Sequence, residues 1–188
     1  MKPVLFLSAA RDWLSVLPLA GRVLAMRQKL IVSVGEELDG GPKDEWMEVL
    51  HHVNFNNQPG RELHEYYSRE ILAPLWRAAR LAQDVEFVCY LHSDFPMTSD
   101  LVKQAQDLLE QSQETKVVGV FQVVHERNAS AYESRSDRFW MLRAGAEVEM
   151  MREIHEEPPA LPNFLGLFRR LRELYGDQQS YIEITRNP

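Results

Sequence analysis

The sequence predicts an α/β fold: a mostly parallel central sheet with helices on both faces. Three observations predict it. Four apolar runs rich in Val, Leu, Ile and Phe, at residues 3–7, 30–34, 85–91 and 116–124, have the length of strands. They lack clean alternation of apolar and polar residues, which suits strands covered on both sides. Segments with apolar residues at helical spacing lie between them, so strand and helix follow one another in the order of a parallel sheet.

The elements follow in chain order. "PVLFL" (3–7) is the first strand. Trp13, Leu14, Leu17 and Leu24 then recur at helical spacing, and Pro18 must sit near the start of that helix or kink it. "LIVSV" (30–34) is the second strand, and "GEELDGG" after it leads through Gly40, Gly41 and Pro42 to a helix opened by Asp44. A weaker third strand is expected near residues 52–55. Ile71, Leu72, Leu75, Trp76 and Ala79 give a helix before the strand "VEFVCYL" (85–91), and Leu101, Val102, Ala105, Leu108 and Leu109 give one after it. Residues 126–159 mix charges, aromatics and short apolar pieces, as an irregular strand pair before a Pro-rich turn would. Phe164, Leu165, Leu167, Phe168, Leu171 and Leu174 form a last helical stripe beside Arg169, Arg170 and Arg172. "YGDQQSYIEI" then reads as a turn and a short strand.

A length of 188 residues fits one domain, residues 1–188, with room for a sizeable core. The formal charge of −7 argues against a broad nucleic-acid-binding surface, which needs clustered Lys and Arg. Cys89 is the only cysteine, so no intrachain disulfide forms and a reducing compartment is the natural home. Its apolar neighbours give no reason for a reactive thiol. No segment reaches the roughly 18 uncharged apolar residues of a membrane span, and the apolar run at the N-terminus is too short for a signal peptide. The expected location is cytoplasmic.

In an open parallel sheet, ligands bind beyond the carboxyl ends of the strands. That rule selects four loops: "SAARDW" (8–13), "GEELDGG" (35–41), "NFNNQPGRE" (54–62) and "HSDFPMTSD" (92–100). In the last, Asp94 stands just beyond a buried strand on a turn capped by Thr98, Ser99 and Asp100, where a divalent cation can bridge it to a diphosphate. His92 lies two residues earlier. In extended chain the two side chains point the same way, and an imidazole can share a metal with a carboxylate. A strand end with a hydrogen-bonded His and a loop-capping Asp satisfies the same spacing. Glu36 and Glu37 can accept hydrogen bonds from a base or sugar, although a solvated acidic loop has the same composition. Arg61 can reach a phosphate from the Asn-rich turn before it. His155, beside Glu156 and Glu157, is a candidate metal ligand or base, and Asp177 is offered by the "YGDQ" turn.

The order of these pieces resembles GT-A fold glycosyltransferases, most closely the family 2-like enzymes that use nucleotide sugars. "KPVLFLSAARDW", "KLIVSVGEELDGG", "VNFNNQPGRE", "LAPLWRAARLAQ" and "VEFVCYLHSDFPMTSDLVKQAQDLL" follow the order of that family, and "LYGDQQSYIEI" resembles a later Gly-Asp-Gln segment of some members. The resemblance implies a single Rossmann-like GT-A domain, with residues 1–124 as the nucleotide-sugar-binding half and 125–188 as the acceptor-side half. It implies that Ala9, Ala10 and Arg11 lie near the nucleobase and that Glu36 is the acidic partner of the base. It also places Asp94 on the metal bound to the diphosphate; beside it, the residues themselves offer Arg61 and Ser93 as further donor-binding candidates and His92 and His155 as further metal candidates.

The sequence departs from the family in two places. His92 occupies the first position of Asp-x-Asp, which removes one negative charge and favours Mn²⁺ over Mg²⁺ as the divalent cation. The acidic pair that supplies the general base in inverting members is absent, so the base falls to Asp177, Glu157, Glu156 or His155. The implied partners are a nucleotide-diphosphate sugar donor and a hydroxyl acceptor. The acceptor side is either minimal or completed by another subunit in a homo-oligomer. Two rivals stand beside the transferase. One is a lapsed GT-A module that binds a nucleotide or a protein without turnover, motivated by the altered His-Ser-Asp. The other is a sugar nucleotidyltransferase, disfavoured because "SAARDW" holds no glycine.

Overall fold

A computed structural model describes residues 1–10, 12–34, 45–51, 85–93, 95–124, 132–146, 152 and 173–186. Seven strands form one sheet: β1 (Val4–Ala10), β2 (Lys29–Val34), β3 (Met47–His51), β4 (Phe87–Leu91), β5 (Val117–Val124), β6 (Tyr132–Arg143) and β7 (Gln179–Arg186). Their order is β3-β2-β1-β4-β6-β5-β7. Every pairing is parallel except those of β6, which runs antiparallel to both β4 and β5. The mixed α/β architecture with a mostly parallel sheet is therefore present.

Helix α1 (Leu17–Ala25) starts with Pro18 in its first turn, where a missing N–H costs nothing, and Arg27 ends the segment in the left-handed region at φ 55°. Helix α2 (Ser99–Gln111) begins at Thr98, whose hydroxyl accepts from the backbone N–H of Leu101 at 3.2 Å. Its buried side is Leu101, Val102, Ala105 and Leu109, and its outer side carries Asp100, Lys103, Gln104 and Glu110.

The core on one face of the sheet joins Val4, Phe6, Leu30, Val32, Phe87, Cys89, Val118 and Met141 to Leu19 and Val23 of α1 and Val102 and Leu109 of α2. The opposite face of the same strands, with Leu5, Leu7, Ile31, Val88, Tyr90, Trp140 and Leu142, is buried as well. Burial on both sides is why these strands read as continuous apolar runs. Tyr90 and Trp140 pair across β4 and β6 and stack with ring centroids 4.9 Å apart.

Three sequence expectations are corrected. The third strand is at Met47–His51, upstream of residues 52–55, which lie outside the described residues. Asp44 opens no helix through that stretch: Met47 and its neighbours pair in parallel with β2 from Leu30 to Val34, and a ladder partner outweighs local propensity. In the 126–159 segment the expected irregular pair is replaced, over Tyr132–Arg143, by a single strand of 12 residues that pairs with β5 along its length, with a register shift at Gly119/Val120, and with β4 over Phe139–Arg143. Its charged first half concealed it, because backbone pairing needs no apolar side chain. The expected helices at 71–79 and 164–174 fall on residues outside the described set, apart from Glu173 and Leu174, which are helical.

Candidate functional site

The site is built where β1 and β4 part. Their parallel ladder runs from Val4↔Phe87 to Leu7↔Tyr90 and stops there. β1 continues for three residues, paired only with β2, as far as Ala10↔Val34. From β1 the chain proceeds outward through β2 to β3 and then returns to β4 on the other side of β1. This is the topological switch point of the sheet, and folds of this kind bind ligands at the carboxyl ends beside it.

Ser8 stands at the opening. Its side chain is 0% exposed, and its Oγ has no hydrogen-bond partner among the described residues. A buried hydroxyl without a partner is costly, so this atom suits a site that something else completes. The sequence pattern places Ser8 in a loop, whereas β1 runs through it to Ala10. The available signal was a lone hydroxyl within an apolar run.

β4 delivers His92 and Ser93 to the same end of the sheet. Leu91 is its last residue, His92 follows half-buried, and Ser93 is 6% exposed. The Phe95 N–H donates to the His92 carbonyl at 3.0 Å, closing a tight turn, and the Met97 N–H donates to the Phe95 carbonyl at 2.8 Å. Phe95 and Met97 plug this turn into the core, with Phe95 against Phe139 at 5.4 Å between ring centroids. From α1, Arg22 Nη2 donates to the Phe95 carbonyl at 3.3 Å, and its buried Nε has no partner among the described residues. The turn is thus held by core packing, by α1 and by the capped start of α2. Arg22 was not among the residues selected from sequence, because nothing local marks a helix Arg that reaches a loop 73 residues away.

Ala9 and Ala10 lie at the end of β1, with Ala10 buried. With His92 and Ser93 they are the sequence-selected residues brought to the strand ends. Arg11, Glu36, Arg61, Asp94, His155 and Glu157, together with Glu37 and Glu156, lie outside the described residues.

Asp177 is separated from the rest. It is exposed in a 3-10 turn (Gly176–Gln178) that precedes β7. Tyr90, Trp140, Gly119 and Tyr181 form one row across β4, β6, β5 and β7, and Asp177 is four residues before that row while His92 is two after it. Three strand spacings add about 14 Å across the sheet, and the offset along it is on the order of 15 Å. Asp177 therefore sits at the amino end of the sheet, far from His92. The Gly-Asp-Gln match could not reveal this, because strand direction is a property of the assembled sheet.

Of the expected cation ligands, His92 is described, just past β4, and Asp94 and His155 lie outside the described residues. Among the described residues no group of three or more His, Cys, Asp or Glu is placed to hold a metal. An imidazole with the carboxylate of Asp94 two residues on is a mixed N/O donor pair, which fits a borderline divalent cation better than Mg²⁺.

No protein-family model matches the chain, and no curated protein does. Solved structures do. A CMP:2-keto-3-deoxy-manno-octonic acid synthetase complexed with CTP matches with a TM-score of 0.55 at 10% identity, over 98% of this chain and 91% of that one. A glycosyltransferase involved in the glycosylation of the major capsid of PBCV-1 matches with a TM-score of 0.49 at 11% identity, over 96% of this chain and 82% of that one. The first of these likenesses spans nearly the whole chain and establishes the fold alone: a mixed α/β, Rossmann-like sheet of the kind found in a nucleotide-binding enzyme.

Proposed function

We propose that the chain binds a nucleotide-diphosphate sugar across the carboxyl ends of β1, β2 and β4 and transfers its glycosyl group to a hydroxyl acceptor. The observation that carries this reading is the parting of β1 and β4 after Leu7↔Tyr90, with Ser8 on one side of the opening and His92 and Ser93 on the other. The loop order shared with family 2-like glycosyltransferases supports the choice of donor.

In this reading, Ala9, Ala10 and Arg11 flank the nucleobase, Glu36 accepts from it, and Ser93 and Arg61 meet the diphosphate. His92 and Asp94 hold a divalent cation, Mn²⁺ in preference to Mg²⁺, which when bound offsets the diphosphate's charge. Asp177 takes no part. The proton of the acceptor hydroxyl goes to His155 or to Glu157.

The fold likeness to a CTP-bound synthetase supports a second reading, a sugar nucleotidyltransferase. The two differ in product. Incubation with UDP-, GDP- and CMP-sugars and Mn²⁺ should release the nucleotide from a transferase, whereas CTP or UTP with a free sugar phosphate or acid should release pyrophosphate from a nucleotidyltransferase. Calorimetry with the same ligands, with and without Mn²⁺, tests binding alone. Absence of binding to every nucleotide would sink both readings, and binding without turnover would leave a nucleotide-binding module.

A further inference from the structure

We infer that Arg138, on a bulge of β6, is a phosphate-binding residue of the donor site, an inference that rests on the nucleotide-sugar reading of that site. The bulge is read from the two ladders of β6. Against β5, Gly119 pairs with Trp140 and the next residue, Val120, pairs with Ser136. β6 therefore has Asp137, Arg138 and Phe139 where β5 has no residue. Against β4 the ladder ends at Leu91↔Phe139, which leaves Asp137 and Arg138 in neither ladder. Extra residues of this kind bend a strand and re-aim its side chains, and they concentrate beside active sites.

The position of the bulge selects its role. β6 runs antiparallel to β4, so one step beyond Leu91↔Phe139 brings Arg138 level with His92, with the two backbones about 5 Å apart. The parallel ladder of β1 and β4 ends at Leu7↔Tyr90, so the next residue, Ser8, is level with Leu91 and Phe139. Ser8 and Arg138 therefore flank the end of β4 from its two sides, Ser8 with a buried Oγ that has no partner among the described residues. Within the described residues β1 and β2 end in Ala10 and Val34, and β4 is followed by His92 and Ser93; none is Lys or Arg. Arg22 reaches the same turn, but its Nη2 is bound to the Phe95 carbonyl. A diphosphate laid across these ends, in a chain of formal charge −7, needs a fixed positive charge, and a guanidinium meets two phosphate oxygens at once. Arg138 is the cation that the ladder brings beside His92. Arg135, paired with Phe121, is about 10 Å farther out along β6.

The test is calorimetry of the full chain with UDP, GDP and CDP in the presence of Mn²⁺, and NMR titration with the matching nucleoside, which carries no phosphate. For the diphosphate that binds, Arg138→Gln should weaken affinity by about tenfold or more and leave the nucleoside's affinity unchanged. Arg135→Gln removes the same charge from the same strand beyond the bulge, and should bind as the wild type does. Should Arg138→Gln misfold, Arg138→Lys keeps the charge and loses the planar fork; it should still weaken the diphosphate by about threefold with the nucleoside unchanged, and no loss there overturns the inference. Wild-type affinity in folded Arg138→Gln overturns it as well and leaves the donor reading standing. So does an equal loss from Arg135→Gln, the mark of a diffuse charge effect, or an equal loss of diphosphate and nucleoside, the mark of a bulge that shapes the site without touching phosphate. A wild-type chain that binds none of the three diphosphates overturns the donor reading and the inference with it.

Discussion

Arg22 Nη2 on α1 donates to the carbonyl oxygen of Phe95, 3.3 Å away, and so ties the helix that follows β1 to the turn that follows β4. The two strands have parted by that level, so this bond closes over an opening that the sheet itself no longer bridges.

Removing the Arg22 guanidinium should therefore loosen the His92–Phe95 turn more than it destabilises the fold. Arg22→Ala should cost about 1 kcal/mol, less than a full charged hydrogen bond, because the substitution also removes a buried Nε that has no partner among the described residues. Arg22→Met, which keeps much of the stem packing, should cost less. Urea unfolding gives the stabilities. Calorimetry with nucleotide sugars should show both variants binding more weakly than their small stability losses explain.

Thr98 fixes the other end of the same turn. Loss of its hydroxyl leaves the Leu101 N–H without its cap, so Thr98→Ala should cost about 1 kcal/mol and Thr98→Ser much less. Equal melting of Thr98→Ser and Thr98→Ala would show that the hydroxyl contributes nothing.

At the head of the tripeptide, His92→Asp restores a second carboxylate and one negative charge. The variant should hold Mg²⁺ more tightly and reduce the preference for Mn²⁺. Titration of each cation in the presence of a nucleotide diphosphate reads the ratio. An unchanged ratio would remove His92 from the cation site.

Cys89 predicts a pH dependence. It is fully buried, and desolvation pushes its thiol well above the ordinary value of 9.0. Below about pH 9 the thiol is protonated in the folded and the unfolded chain and adds no slope. Above that pH the unfolded chain releases the proton while the folded chain keeps it, so stability falls as pH rises, by up to ~1.4 kcal/mol per unit. Urea unfolding between pH 8 and pH 10 should show Cys89→Ala with the shallower loss. In the native wild type, a water-soluble disulfide reagent should leave Cys89 unmodified until the protein unfolds.

The sequence by itself determined what depends on local composition. Runs such as "VLFL" and "FVCYL" read as strands buried on both faces, Pro18 as a residue near the start of its helix or at a kink, and Thr98, Ser99 and Asp100 as cap candidates, of which the structure selects the first turn for Pro18 and Thr98 for the cap. It also located the tripeptide after β4, because a polar turn directly behind an apolar run is a local pattern.

Only the tertiary structure decided what depends on strand order and direction. β6 reads as a charged, irregular segment, yet it lies between β4 and β5 because backbone groups pair whatever the side chains. The opening between β1 and β4, the contact of Arg22 with Phe95 and the placement of Asp177 at the far end of the sheet follow from that arrangement. Each joins residues that are distant in sequence, and local spacing carries no record of which strands become neighbours or which way they run.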